Sequence, residues 1–353
     1  MRTHAIRCST LLPMVLAAMS VAARADEADD TRSLDVIREG YSSNRDAFQS
    51  FTCRFKVIEG KADTIEQALK GTVTNTNPQT GVWIVDGPNV RYELSCDAPI
   101  IREKPPEIKP GQKGVFAGVS CSPEAILKSG DVKMSYSGLL GGINIMPTSS
   151  YGAEIYLTPF SMGVMGVDEN RSPARTISDC STGKRLCRFE GIKDLDNTQV
   201  HVFSDRLAPS EDPALKGNKS FHRWFLDPDR GFLPVQSHSY VDPETIYQKL
   251  WITDVRRTDQ GDYFPARSVQ VRYPDKPAPY HVRIIELVEL ELTKRPPESS
   301  FFIDVPGGVG VLNPVDGRAS FRMAVAQRIR LHDLPGMIER CEQALQRRIA
   351  AGQ

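Results

Sequence analysis

One stretch decides the fold class: Phe221-His222-Arg223-Trp224-Phe225-Leu226-Asp227-Pro228-Asp229-Arg230-Gly231-Phe232-Leu233-Pro234-Val235. Two short apolar runs flank a turn in which Pro and Asp favour the bend and Gly allows the positive φ that closes it. The spacing therefore predicts a β-hairpin. Three further strand patterns follow, at 246–255, 266–273 and 280–292, so the whole region predicts an antiparallel meander with a large face to bury.

A second hairpin is predicted in the N-terminal half. The strand patterns 82–85 and 90–96 are joined by the tight turn Asp86-Gly87-Pro88-Asn89. Upstream of the meander, Ser122 to Leu127 is predicted as a helical turn, because Ser is a good N-cap and Pro123 fits the first helical position.

A helix is predicted at each end of the chain. In the first, Leu34, Ile37 and Tyr41 recur at helical spacing and share one face. In the last, an apolar stripe runs from Leu334 to Ile349 behind an N-cap at Asp333. Because amphipathic helices usually cover their own core, we expect both to pack on the sheet.

These elements predict a mainly β fold of the α+β class. We expect a curved antiparallel sheet, or half-open β-barrel, with the N-terminal and C-terminal helices packed on it. The predicted divisions are a signal peptide at 1–25, a curved-sheet domain at 26–315 and a C-terminal helical tail at 316–353. Two domains split near Asp212 are the alternative.

The N-terminus has the pattern of an export signal. Arg2 and Arg7 precede a short apolar run at 11–23, and Ala23-Arg24-Ala25 supplies the small residues for cleavage before Asp26. The run is too short for a membrane anchor in the mature chain. We therefore expect a soluble exported protein, periplasmic or secreted, without a transmembrane segment.

The net charge of the chain argues against some classes of binding partner. Among 353 residues, 44 Lys and Arg balance 44 Asp and Glu, so the net charge is zero. Proteins that coat nucleic acid or an anionic membrane need a basic excess. We expect no nucleic-acid partner.

Six cysteines follow the predicted cleavage site, and an even number in an exported chain suggests disulfides. Cys180 and Cys187 flank a turn-like Ser181-Thr182-Gly183-Lys184 and are the easiest pair to bridge. A buried thiol outside any disulfide is the alternative, and Cys341 fits it best. The remaining three are Cys53, Cys96 and Cys121.

We find no pattern for a catalytic site, a metal site or a cofactor. Gly118-Val119-Ser120-Cys121-Ser122 lacks the second glycine of a nucleophile elbow. His222, His238 and His281 are three candidate zinc ligands on strands, but their spacing shows no convergence.

Four aromatic residues on predicted strands are candidates to line a cavity for an apolar ligand: Trp83, Tyr92, Trp224 and Trp251. Strand aromatics are most often core, and that alternative stays open. The glycine-rich apolar segment 138–167 is either a flap over such a cavity or a buried irregular connection.

The order of elements resembles a known group of exported proteins. It is carried by five segments: Ser50–Phe55, Gly81–Val85, Val90–Glu93, Arg223–Pro228 and Gly231–Val235. Together they resemble the LolA-like group, which includes the periplasmic lipoprotein carrier and the RseB-type sensor of mislocalised lipoproteins. The resemblance implies a half-open curved sheet with helices on its concave face, and a carrier or sensor for lipid-modified or other apolar ligands.

We therefore predict a non-enzymatic exported protein that binds a lipid, a lipoprotein or another apolar ligand in the concave face of its sheet. The alternative is a structural or interaction module of the cell envelope that binds a protein partner. An exported hydrolase is a third hypothesis, which would need a cleft with convergent carboxylates or histidines.

Overall fold

A computed structural model describes most of the chain: residues 30–96, 124–130, 132–137, 142–147, 172–209, 219–273, 279–292, 295–312 and 319–351. The predicted signal peptide at 1–25 lies outside these residues. The segment 138–167 lies outside them as well, except for a strand at 142–147.

The described residues are mainly β, as predicted. Their helices are α1 (30–46), α2 (Ile65–Lys70), α3 (Pro173–Ser181) and α4 (Leu334–Ala350). Their strands are β1 (Ser50–Ala62), β2 (Thr74–Asp86), β3 (Asn89–Cys96), β4 (Glu124–Ser129), β5 (Val132–Ser137), β6 (Gly142–Pro147), β7 (Arg185–Leu195), β8 (Thr198–Leu207), β9 (Phe221–Asp227), β10 (Leu233–Tyr240), β11 (Ile246–Arg257), β12 (Tyr263–Arg272), β13 (Tyr280–Glu291), β14 (Phe302–Val305), β15 (Gly310–Leu312), β16 (Ala319–Arg322) and β17 (Gln327–Arg330).

The chain divides into two compact units. Unit 1 consists of Met1–Asn44 and Glu169–Ile246, and unit 2 of Arg45–Asp168 and Tyr247–Gln353. The predicted helical tail at 316–353 belongs to unit 2 and contains β16 and β17 before α4 begins. The division into a domain at 26–315 and a tail stays a prediction.

Unit 2 is built on a large curved sheet that does not close within the described residues. Its strand order is β16-β15-β6-β5-β4-β3-β2-β1-β13-β12-β11. Neighbours are antiparallel except β15 and β6, which run parallel with Gly310 opposite Gly142. The predicted hairpin of β2 and β3 is confirmed, with Asp86 opposite Asn89. A bulge between Arg54 and Phe55 in the β1–β13 pairing adds local twist.

The predicted helical turn at Ser122 to Leu127 is wrong. Residues from Glu124 onward form β4, which pairs with β3 on one side and β5 on the other. Ala125, Ile126 and Leu127 are all buried. Pairing on both sides of the strand outweighs a local capping signal, because tertiary contacts readily override helix propensity.

One face of this sheet carries the unit's helices, and we call it the helix-covered face. Ile84, Leu127, Met134 and Ile143 pack there against α4, which contributes Leu334, Met337 and Cys341, and against β14 and β17. Val269 and Ile284 lie on the same face and pack against α2 through Ala68. The predicted packing of the C-terminal helix on the sheet is confirmed.

The opposite face is also buried, and we call it the aromatic face. Side chains alternate along a strand, so the register places a second set of residues there. They are Phe51, Cys53, Phe55, Val57, Trp83, Tyr92, Leu94, Leu250, Ile252 and Ile285. Each is less than 9% exposed.

Unit 1 contains the four-stranded antiparallel order β7-β8-β9-β10. The predicted hairpin is confirmed: β9 and β10 are joined by a 3-10 turn at Pro228–Arg230, and Gly231 has a φ of 62°. Helix α1 buries the predicted face of Leu34, Ile37 and Tyr41. Near Gly40 it lies against the ring of Phe232.

Candidate ligand-binding face

The aromatic face is centred on three rings from three neighbouring strands. Trp83 lies directly opposite Tyr92, and their ring centroids are 5.3 Å apart. Phe55 lies 6.0 Å from Trp83 and 5.9 Å from Tyr92. The Phe55 ring covers Gly81, where an added Cβ would be 2.2 Å from Cζ of the ring. Gly81 therefore makes the room in which the three rings meet.

A second group of rings extends the same face toward β12. Phe264 lies 5.3 Å from Phe48 and 5.6 Å from Phe51. In both groups the burial of the rings and their packing against one another contribute stability. Cys53 lies on this face too, and burial raises the pKa of its thiol far above the usual range. The thiol is therefore expected to stay protonated and to pack as a small apolar side chain instead of acting as a nucleophile.

Trp251 does not share this surface. It lies opposite Val269 in the β11–β12 ladder, on the helix-covered face. Its indole is half-buried and packs with the group of residues that α2 covers, and Lys249 Nζ lies 6.0 Å from the ring. Of the four predicted residues, the structure thus brings together Trp83 and Tyr92 and leaves Trp251 on the other side of the sheet.

Trp224 belongs to the core of unit 1. Its Nε1–H donates to Asp205 Oδ1 at 2.9 Å, and its ring stacks on Phe203. Asp205 also accepts hydrogen bonds from Nε and Nη2 of Arg185. The indole is therefore fixed by a buried, charge-assisted network.

Sequence reasoning missed a set of polar side chains within the aromatic face. Gln79, Ser268 and Gln270 occupy positions on that face and are 5% exposed or less. Glu59 and Arg283 lie opposite each other in the β1–β13 ladder and form an ion pair. Alternation along the strands could have revealed this set, but only once the register of the four strands β2, β1, β13 and β12 was known.

A serine and a histidine do meet in unit 1. Ser239 Oγ lies 3.0 Å from His222 Nδ1, on neighbouring positions of β9 and β10. Ser239 is buried, and the adjacent Asp205 is already bonded to Trp224 and Arg185. Asp205 is therefore already engaged by two other side chains, whereas the base of a hydrolase needs a carboxylate that orients it.

The structure bears on the histidine and cysteine predictions. Within the described ranges there is no group of three metal-ligating side chains. Cys180 and Cys187 form the predicted disulfide, with Cα atoms 5.8 Å apart, and it joins α3 to β7 instead of closing a hairpin turn. Cys53 and Cys341 are buried thiols that form no disulfide among the described residues. The pairing of Cys96 and Cys121 lies outside them.

No helix in the described ranges has both the length and the apolar composition needed to cross a membrane. No family model and no curated protein matches the chain.

Solved structures do match. The chain is similar to a DUF1329 family protein from Desulfovibrio piger, with 10% identity and a TM-score of 0.46, over 76% of this chain and 96% of that one. It is similar to a putative outer membrane lipoprotein-sorting protein domain from Vibrio parahaemolyticus, with 12% identity and a TM-score of 0.44, over 76% and 95%. It is also similar to a LolA superfamily protein from Nitrosomonas europaea, with 13% identity and a TM-score of 0.40, over 75% and 95%. The resemblance predicted from the sequence is to the same group and is confirmed; identities this low carry no function to this chain.

Proposed function

We propose that this protein is an exported, non-enzymatic binding protein that holds the acyl chain of a lipid or lipoprotein, or another apolar ligand, on the aromatic face of unit 2. One observation carries the proposal. Helices α2 and α4 both pack on the helix-covered face, whereas Phe55, Trp83 and Tyr92 are buried on the opposite face, away from both helices.

Such a face suits a flexible apolar chain. Each CH₂ group removed from water contributes about 0.8 kcal/mol, so a chain of ten to twelve carbons gains substantial affinity without a single directional contact. The rings of Phe55, Trp83 and Tyr92 pack with centroids 5.3–6.0 Å apart, so together they present an apolar aromatic surface against which a chain can lie.

The proposal that the protein is exported rests on the N-terminal sequence. Arg2 and Arg7, the apolar run and Ala23-Arg24-Ala25 form the three parts of a secretory signal in the right order. An exported carrier meets ligands such as acylated lipids in an aqueous compartment, where a buried apolar face is needed to hold them.

The three tryptophans of the chain make the proposal testable. One variant, Trp224→Phe with Trp251→Phe, keeps only Trp83 on the aromatic face. Its matched partner, Trp83→Phe with Trp224→Phe, keeps only Trp251 on the helix-covered face. Each is titrated with a fatty acid brominated at carbons 9 and 10, which quenches a nearby indole.

We expect strong, saturable quenching of Trp83 and weak quenching of Trp251. Equal quenching of both would place the ligand elsewhere and contradict the proposal. Native mass spectrometry of wild-type protein from its own exported compartment is the independent measurement. Protein that carries no acylated species and binds no fatty acid would favour the protein-partner module instead.

A further inference from the structure

The polar side chains within the aromatic face form a compact group that the proposed function does not yet use. Glu59 lies opposite Arg283, and Arg283 lies opposite Gln270 on the next strand. Gln79 lies opposite Val57, two residues before Glu59 on β1. All four therefore point to one face, on adjacent rungs of the ladders formed by β2, β1, β13 and β12.

Burial makes this group costly unless its hydrogen bonds are made. Gln79 and Gln270 are each 5% exposed, and Ser268 beside them is 1% exposed. Within the described part of the chain, Gln79 Oε1 is buried and has no hydrogen-bond partner. A buried acceptor without a donor costs about 1–3 kcal/mol, so a chain that only needed an apolar face would gain by placing leucine there.

The ion pair beside Gln79 also contains a donor that makes no hydrogen bond to any described residue. Arg283 Nε lies 3.3 Å from Glu59 Oε1, which is close enough for an ion pair. The pair does not form a hydrogen bond, and among the described residues the buried Nε has no hydrogen-bond partner. The group thus offers one unused acceptor, on Gln79, and one unused donor, on Arg283.

We propose that this group is a subsite for the head group of an uncharged amphiphile, one that carries hydroxyl groups on a glycerol-like backbone. The inference rests on the proposed function, because the acyl chain of the same molecule would lie on the adjacent aromatic face. One hydroxyl of such a head group can donate to Gln79 Oε1 and another can accept from Arg283 Nε, so two hydroxyls satisfy both atoms.

Charge balance selects against ionic head groups. Glu59 and Arg283 neutralise each other. A carboxylate at this position would approach Glu59, and an ammonium group would approach Arg283, so each gains attraction from one partner and repulsion from the other. A neutral polyol head group meets neither penalty.

The test compares two ligands that share a chain and an ester. 1-Monolauroylglycerol carries two hydroxyl groups, and methyl laurate carries none. Their affinities are measured by displacement of a fluorescent fatty acid from the full exported protein and from Gln79→Leu. The control variant is Gln199→Leu, which removes an exposed glutamine from β8.

We expect Gln79→Leu to weaken monolauroylglycerol binding about five- to tenfold, the loss of one buried hydrogen bond. Methyl laurate should change less than about twofold, since it makes no such bond. The thermal midpoint of the variant should not fall, because an acceptor without a partner is removed.

The outcomes distinguish a failure of the head-group subsite from a failure of the proposed function. If wild-type protein binds both ligands but Gln79→Leu weakens neither, or weakens both equally, the head-group subsite is wrong and the proposed function stands. If the wild-type protein binds neither ligand and does not bind the fluorescent fatty acid either, the proposed function fails, and the subsite fails with it. Weakening by Gln199→Leu to the same extent would also overturn the subsite.

Discussion

Two tryptophans in this chain are almost equally buried and are held in different ways. Trp224 in unit 1 is 2% exposed, and its indole N–H is bonded to Asp205, which is bonded in turn to Arg185. Trp83 in unit 2 is 5% exposed and touches the rings of Phe55 and Tyr92. Directional bonds fix one arrangement, whereas ring packing tolerates several. Of the two surroundings, the aromatic face around Trp83 is therefore the one that we expect to rearrange around a ligand.

Breaking the polar network of unit 1 is expected to have the largest effect. Asp205→Ala leaves the guanidinium of Arg185, 15% exposed, without its carboxylate and the Trp224 N–H without an acceptor. Removing one partner of a buried ion pair costs about 3–5 kcal/mol. Urea unfolding followed by tryptophan fluorescence measures the loss.

The control for that variant is Asp194→Ala, since Asp194 is exposed on β7. We expect a change within about 0.5 kcal/mol, as for most surface substitutions. Equal midpoints for the two variants would mean that the Trp224 network adds no stability, and the comparison would fail.

A smaller loss is expected on the aromatic face. Gly81→Ala places a methyl group 2.2 Å from Cζ and 2.5 Å from Cε2 of Phe55. Overpacking of this kind costs about 1–3 kcal/mol, because the ring must shift. Phe55→Leu in the same chain should relieve part of it, so the double variant should lose less than the sum of the single losses.

Gly336→Ala is the matched control, because an added Cβ there meets nothing within 4 Å. It lies in α4, where alanine is favoured over glycine by up to about 1 kcal/mol. If Gly81→Ala is as well tolerated as Gly336→Ala, the Phe55 ring does not need the space over Gly81.

The smallest effect on stability is expected from a half-buried histidine in unit 1. It tests the comparison because its buried ring nitrogen, unlike that of Trp224, is not hydrogen-bonded to any described residue. His201 lies between Phe189 and Phe232, with ring centroids at 5.8 Å and 5.2 Å. Burial lowers the pKa of its imidazole below the ordinary value of 6.5. Among the described residues, its buried Nδ1 has no hydrogen-bond partner.

The sign of the pH effect follows from that pKa. The unfolded chain binds a proton at His201 more readily than the folded chain, so stability is full above about pH 6.5 and falls as the pH drops below it. His201→Phe should therefore flatten the fall in thermal midpoint between pH 7.5 and pH 5. A wild-type slope retained in His201→Phe would contradict the assignment.

Local turn chemistry made much of the fold predictable. Asp86-Gly87-Pro88-Asn89 and the turn before Gly231 each set a hairpin within a few residues, and both were confirmed. The Cys180–Cys187 pair was also predictable from spacing, although its setting was not. Ser172 caps α3 with Pro173 at the first position, a helix signal that the turn-like residues after Cys180 obscured.

Helix α2 was missed even though the sequence contains its signals. Thr64 and Gln67 form a capping box, and Gly71 ends the helix with a φ of 80°. The helix has six residues, too few for apolar periodicity to show.

The candidate site was the hardest part to predict because it depends on register. Strand patterns locate Trp83 and Trp251 on strands, but which face each presents is settled by pairing with residues far away in the chain. A shift of one residue moves every side chain to the other face. Bulges such as the one at Arg54/Phe55 cannot be read from composition.

The parallel pairing of β15 with β6 has a consequence for the order of folding. Unit 2 is made of two separate stretches of chain, and Gly310 must find Gly142 before that part of its sheet is complete. Contacts so distant in sequence form late, because loop closure precedes any gain from pairing. As the chain emerges N-terminus first, unit 2 therefore stays unfinished until the last third arrives, and we expect its aromatic strands to expose apolar surface during that interval.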